Sequence, residues 1–323
     1  MHFPTLKRAA LVFLLGLAGA ACRADNGWEG HILSFIWEND GTAGSDRHYT
    51  EGARISYLSK DNALPAWLKR FSSALPAFGY EVKAEKFGLA ISQEIYTPED
   101  LRASELVVDD RPYAGWLYGT ATLQRRGLTA RGFPVMENLK VDLGVIGPEA
   151  LAEETQKSWH GVSPAGWANQ LKFEPGLNLR YDRSYLFSSG TPRNPWRSDV
   201  IPFVDFSAGN VLTYFEGGLT FRFGYNIPNE FAASAQPAPK QFGAYLFARA
   251  QGRWVLRNIF LDGNTFRDSH SVDKRALVAD GRVGLTLVLK SFEITAAQTL
   301  ISQEFKGQET TDSYGTLVFS VKF

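Results

Sequence analysis

Cysteine is nearly missing from this chain of 323 residues: Cys22 is the only one. No disulfide can form within it, and if the N-terminal segment is removed, neither a thiol nucleophile nor a thiolate metal site remains. An excess of one charge is missing too, with 34 basic against 34 acidic side chains. Removing Lys7, Arg8 and Arg23 leaves 31 against 34, a net charge of about −3, which is no footprint for nucleic acid. After residue 24 no apolar run reaches about 18 residues, so a membrane-spanning helix is excluded. The GxSxG elbow, the HExxH pair and the glycine-rich phosphate loop are absent. Linkers, repeats and low-complexity tracts are absent as well; the nearest is Ala232 to Pro239 (AASAQPAP), which reads as a turn.

What is present is alternation. Phe323, Val321, Phe319 and Leu317 fall on one face of the last segment, and Lys322, Ser320 and Thr316 on the other, with only Val318 breaking the polar row. Period-two alternation makes a strand with one apolar side. A strand polar inside, apolar outside and closing on a terminal aromatic suits the last strand of a bacterial outer-membrane barrel. The other end agrees. Lys7 and Arg8 form a basic n-region and Ala9 to Ala21 an apolar h-region too short to span a bilayer. Residues 1–24 are therefore expected to be a signal peptide, with 25–323 a single barrel. Lipidation of Cys22 is the alternative; it is disfavoured by Gly19, three residues earlier, where a bulkier aliphatic is usual.

The spacing predicts twelve strands near 31–40, 50–59, 86–96, 114–124, 137–146, 170–181, 200–209, 213–225, 243–260, 275–289, 292–302 and 314–323. The fifth is clean, with Leu139, Val141, Leu143 and Val145 against Lys140, Asp142 and Gly144. A soluble β-sandwich also alternates; the leader and the terminal Phe323 speak for the barrel. With both ends facing the periplasm, odd strands run outward. The loops 41–49, 97–113 and 147–169 are then extracellular, and the Ala232 to Pro239 turn is periplasmic. Pro65 to Leu75, in a periplasmic connection, reads as an amphipathic helix with Trp67, Leu68, Phe71 and Leu75 on one side.

Polar residues collect at the extracellular rim. Asn39 and Asp40 end the first strand and Thr50 opens the second, so a hairpin brings them side by side. The plain alternative is turn chemistry, since Asn, Asp and Gly are what a hairpin loop uses. In the third extracellular loop, Gly147-Pro148 stops a strand and Glu149 to Trp159 has helical composition, acidic in its first turns. His160 follows, with Gly161 as a stop. Gln156 and His160, four apart, share a face, with Glu149, Ala152 and Glu153 behind them. The plain reading of His160 is contact with the helix C-terminal carbonyls. His31, His48 and His270 stand isolated in the sequence, and Ser269-His270 is poor geometry for a serine–histidine pair.

The runs FIWENDGTAGSDRHYTEGARISY, SQEIYTPED, DRPYAGWLYGT and LGVIGPEALAEETQKSWH, together with the terminal strand, resemble the outer-membrane lipid A 3′-O-deacylase family. The resemblance covers essentially the whole chain after the leader and is densest over 35–182. It implies a twelve-stranded barrel, a site between the barrel wall and a loop helix, and calcium-dependent ester hydrolysis similar to that of secreted phospholipase A2. The family's Asn-Asp pair falls on Asn39 and Asp40, its threonine on Thr50, and its helix-borne histidine on His160. The family's lysine beyond the third strand has no counterpart in TPEDLRASE; Arg102 is the nearest cation.

Those residue types suit the chemistry. Ester hydrolysis needs an activated water and an electrophile for the developing oxyanion. A neutral histidine can take the water's proton, and a hard divalent cation on carboxylate, amide and hydroxyl oxygens can polarise the carbonyl. Asp40, Asn39 and Thr50 supply such oxygens, and Gln156 or Glu153 could add one. Arg111 and Arg102 are candidates for pairing with lipid A phosphates; loop structure or a solvated rim is their plain alternative. The expectation is a monomer acting on lipid A within the outer membrane. Two other classes stay open: a barrel without enzymatic role, and an outer-membrane phospholipase.

Overall fold

The computed structural model describes residues 30–43, 48–159, 164–189, 194–232 and 242–323. The expected leader and Cys22 lie outside the described residues, as do His160, Gly161 and all of the AASAQPAP tract except Ala232.

Among the described residues the alternating segments form twelve long strands: β1 (Ile32–Asn39), β2 (His48–Leu58), β3 (Tyr80–Thr97), β4 (Ala114–Thr129), β5 (Pro134–Ile146), β6 (Glu174–Tyr185), β7 (Trp196–Gly209), β8 (Leu212–Tyr225), β9 (Phe242–Asn258), β10 (Leu277–Leu289), β11 (Phe292–Ile301) and β12 (Asp312–Lys322). Each pairs antiparallel with its neighbours in sequence, and β1 pairs with β12, so the sheet closes on itself. A two-residue stretch, Phe187–Ser188, extends the β6 side of the ribbon against Val200 and Asp199. One closed sheet leaves no second layer, which overturns the sandwich alternative.

The alternation sorts by solvent. Leu89, Ile91, Leu143 and Leu179 point outward and are more than half exposed, as strands facing hydrocarbon require. Inward-facing charges are paired, as buried charges must be. Arg180 Nε lies 2.6 Å from Asp142 Oδ2, and Arg253 Nη2 lies 2.7 Å from Glu216 Oε2. The terminal aromatic sits at the closing seam. Phe323 exchanges backbone hydrogen bonds of 2.7 and 3.0 Å with His31 and stacks on its ring at 5.5 Å.

Two boundaries differ from the sequence reading. β3 begins at Tyr80 rather than near 86, because Glu81, Lys83 and Glu85 carry no apolar face yet still pair with β4 through a register shift between Val82 and Ala84. The loop helix does not begin at Glu149. A 3₁₀ turn, Pro148–Ala150, comes first, Leu151 then takes a left-handed conformation (φ 57°), and the helix runs over Ala152–Trp159. The helix expected over Pro65 to Leu75 spans Ala66–Ala74 and is α1. The loop helix is α2.

Candidate active site

Strand parity decides where the rim residues point. Glu38 faces the interior, where its carboxylate accepts from Tyr49 Oη at 2.7 Å and Thr316 Oγ1 at 3.1 Å. Asn39, one residue on, therefore faces the outer wall. Its Nδ2 donates to the Thr50 carbonyl at 3.3 Å, and its register partner on β2 is Glu51. A register shift between Tyr49 and Glu51 leaves Thr50 as the extra residue of a bulge. The bulge re-aims Thr50: its Oγ1 shares a hydrogen bond of 2.7 Å with Thr97 Oγ1 on β3. Asp40 opens a 3₁₀ turn, Asp40–Ala43. Asp40, Thr50 and Glu51 are all at most 2% exposed.

The registers run Asn39, Glu51, Ile95, Gly115 across β1 to β4. With strands spaced about 4.8 Å apart, that row spans roughly 14 Å of outer wall. Its β4 end is roofed by the third extracellular loop. A Cβ on Gly115 would stand 2.5 Å from Ala152 Cβ and 3.0 Å from Ala150 Cβ, so only glycine lets the loop lie this close. Gln93 Nε2 donates to the Ala150 carbonyl at 2.6 Å, and Ala152 packs with Ile95, Tyr113 and Trp167. Asn39 and Glu51 at one end of this row, and α2 with its loop over the other, bound a candidate trough on the lipid side of the barrel.

The hairpin sets Asn39 beside Thr50, with Asp40 next in the chain. Gln156 is fully buried in α2, and its Oε1 accepts from Trp167 Nε1 at 2.9 Å, a bond that locks the helix within its own loop. Glu153, on the outer side of α2, pairs with Lys157 at 2.5 Å. His160 follows α2 directly and lies outside the described residues. Arg102 is exposed. Arg111 is not at an open rim. It is buried, donates to Glu304 Oε2 at 2.8 Å and lies over the rings of Tyr96 and Phe305 at the mouth of the interior.

The remaining histidines are not isolated. His48 is 2% exposed; its Nδ1 meets Asp312 Oδ1 at 2.7 Å, and its Nε2 lies 3.4 Å from Asp110 Oδ1. This clamp ties the first, second and last extracellular loops together beside Thr50. Burial pushes the Asp110 carboxyl up, but hydrogen bonds from His48 and from the backbone N–H groups of Glu99 and Arg111 outweigh it and hold the group below its usual range. His31 Nδ1 bonds Tyr57 Oη at 2.7 Å, and His270 Nε2 bonds the Asp110 carbonyl oxygen at 2.8 Å.

Glu51 is the residue that sequence reasoning missed. Its signal was parity, since a carboxylate on the outward face of a membrane strand is costly and marks a site by default. Carboxylate, amide and hydroxyl oxygens from Asp40, Glu51, Asn39 and Thr50 form a hard-donor set that fits calcium or magnesium better than a softer metal. Among the described residues no group of three or more His, Cys, Asp or Glu side chains is gathered for a metal.

The family profile "Outer membrane protein LpxR" matches residues 9–323. The chain belongs to the outer membrane protein LpxR family. A solved structure titled LpxR from Salmonella typhimurium is similar at 21% identity, with a TM-score of 0.70, over 90% of this chain and all of that one. It shares the LpxR-type barrel fold. The β domain of the Bordetella autotransporter BrkA aligns over 93% of this chain and all of its own at 10% identity, with a TM-score of 0.47. None of the curated proteins matches.

Proposed function

We propose that this LpxR-family barrel is a lipid A 3′-O-deacylase, hydrolysing an ester-linked acyl chain at the outer leaflet of the outer membrane. One observation carries the reading: polar side chains, Asn39 and Glu51, on the lipid-facing wall, where a barrel otherwise presents hydrocarbon. A channel or purely structural barrel gives no reason to bury Glu51 on that side. Membership of the LpxR family and the fold shared with the Salmonella protein support it.

In this reading Asp40, Asn39 and Thr50 would hold a calcium ion, with Glu51 beside them. Bound there, calcium would supply the electrophile for the ester carbonyl. His160, at the end of α2, takes the proton of the attacking water and returns it to the departing sugar hydroxyl. Gln156 keeps α2 in place through Trp167. The trough opens sideways, so the lipid reacts without leaving the membrane. Arg102, exposed in the second loop, is positioned for a lipid A phosphate, whereas Arg111 serves the interior. Residues 1–24 act as the export signal, and the enzyme works as a monomer.

Mass spectrometry of lipid A tests the reading. Cells producing the protein should lose one acyl-chain mass from lipid A, and cells producing Asp40→Ala should not, although that variant still inserts as a heat-modifiable barrel. Purified protein should be inactive in excess chelator and recover with calcium. Unaltered lipid A with the wild-type protein, or release from glycerophospholipid instead, would replace the deacylase reading; full turnover in chelator would remove the metal.

A further inference from the structure

The helix α1 lies away from the trough, at the end of the barrel that bears both termini. It packs against the outer wall and not against the interior. Arg125, on the outward face of β4 and 3% exposed, donates to the carbonyls of Ser72, Leu75 and Pro76 at 3.3, 3.1 and 3.0 Å. These carbonyls lie at the helix C-terminal end and just beyond it; that of Ser72 also accepts from the Leu75 backbone N–H at 3.1 Å. The guanidinium is neutralised by Glu137, and Ser72 Oγ donates to Glu85. A buried ion pair thus holds a nine-residue helix in one orientation.

That orientation leaves aromatics uncovered by protein. Trp67 is 69% exposed and Phe71 50%, and Phe78, just beyond the helix, is 70% exposed. Trp67, Leu68 and Phe71 overhang a hollow of about 950 Å³ on the outer wall. Its floor comes from the outward residues of the strands, Leu89, Val141 and Leu179 among them. Lys69 and Arg70 are exposed, and among the described residues neither side chain makes a hydrogen bond or an ion pair. Tryptophan, phenylalanine and basic residues on one short amphipathic helix are the composition of an element lying in a membrane interface.

We propose that α1 and the hollow beneath it bind a glycerophospholipid of the periplasmic leaflet, its acyl chains along the apolar floor and its phosphate against Lys69 and Arg70. The occupant is a lipid because the floor is the hydrocarbon-facing wall, which a soluble partner cannot reach in the membrane. The periplasmic leaflet follows from the position of α1 on the terminus-bearing end, across the barrel from Asn39 and Asp40. The site is independent of the deacylase reading and survives its failure.

The full chain, refolded into vesicles of phosphatidylethanolamine and phosphatidylglycerol with brominated acyl chains, tests this. Wild-type tryptophan emission should contain a strongly quenched component that is missing from Trp67→Phe. Native mass spectrometry from mild detergent should find a retained phospholipid, with about tenfold lower occupancy in Trp67→Ala/Phe71→Ala, which removes two apolar contacts of the chains. Lys69→Glu/Arg70→Glu, at surface positions that leave the packing intact, should weaken retention of phosphatidylglycerol. All variants should keep heat-modifiable mobility and wild-type activity on lipid A. Equal quenching in wild type and Trp67→Phe would place α1 in water and overturn the proposal. Equal lipid retention by wild type and both double variants would also overturn it.

Discussion

At the scale of residues, the site divides by how far away each partner lies in the chain. Asn39, Asp40 and Thr50 were legible because one hairpin brings them together. The surroundings of His48 and Arg111 were not, since their partners Asp312 and Glu304 come 264 and 193 residues later. Arg111, a candidate for lipid A phosphates with loop structure as its plain alternative, is a buried strut. Glu51 was passed over because a polar residue at a strand start looks ordinary until its outward direction is known. If Glu51 contributes charge to the cation site, Glu51→Gln should raise the calcium concentration for half-maximal activity by about tenfold, since ligand charge tunes affinity. Calcium titration of turnover measures this, and an unchanged midpoint would assign Glu51 to packing. His160→Ala should lower turnover by roughly 10²–10⁴ if it removes the general base; near-wild-type rates would leave only a helix-end contact. Asp110 gives a pH dependence of known sign. Its carboxyl is held below the usual range in the fold, so its contribution is complete at neutral pH and drains away as pH falls through the depressed value. Protection of the amides in loop 98–113, corrected for the intrinsic pH dependence of exchange, should be unchanged between pH 7 and 5, fall as the pH drops below the ordinary carboxylate range, and be low throughout in Asp110→Asn. Loosening already between pH 7 and 5 would point to another group.

At the scale of elements, β-strands were readable from periodicity, and their errors sit at the ends. Outside the hydrocarbon, β3 pairs without an apolar face, so the pattern that announces it stops before the strand does. The loop helix was readable in kind but not in start, because a left-handed Leu151 carries no composition signal. What fixes α2 against the wall is Gly115, whose role depends on a contact with a segment more than thirty residues away. Gly115→Val should push α2 outward at a cost of about 1–3 kcal/mol, the usual range for overpacking, while β4 keeps its pairing. If α2 carries the base, deacylation should fall sharply with heat-modifiable mobility unchanged. Full activity in Gly115→Val would mean that the helix need not touch the wall.

At the scale of the whole molecule, closure was legible from the alternating strands and the last of them above all, because an apolar belt with a polar lining has few other solutions in a bilayer. The same closure governs when the trough comes into being. Asn39 pairs with Gly315, the Asp40 turn packs on β12, and His48 is clamped by Asp312, all contributions of the last strand. A chain still in transit, with its final strand unplaced, has the acidic turn but not its walls. On the proposed reading, a hydrolase of membrane lipids would stay latent until its last strand is placed: the event that completes the cylinder would also arm it.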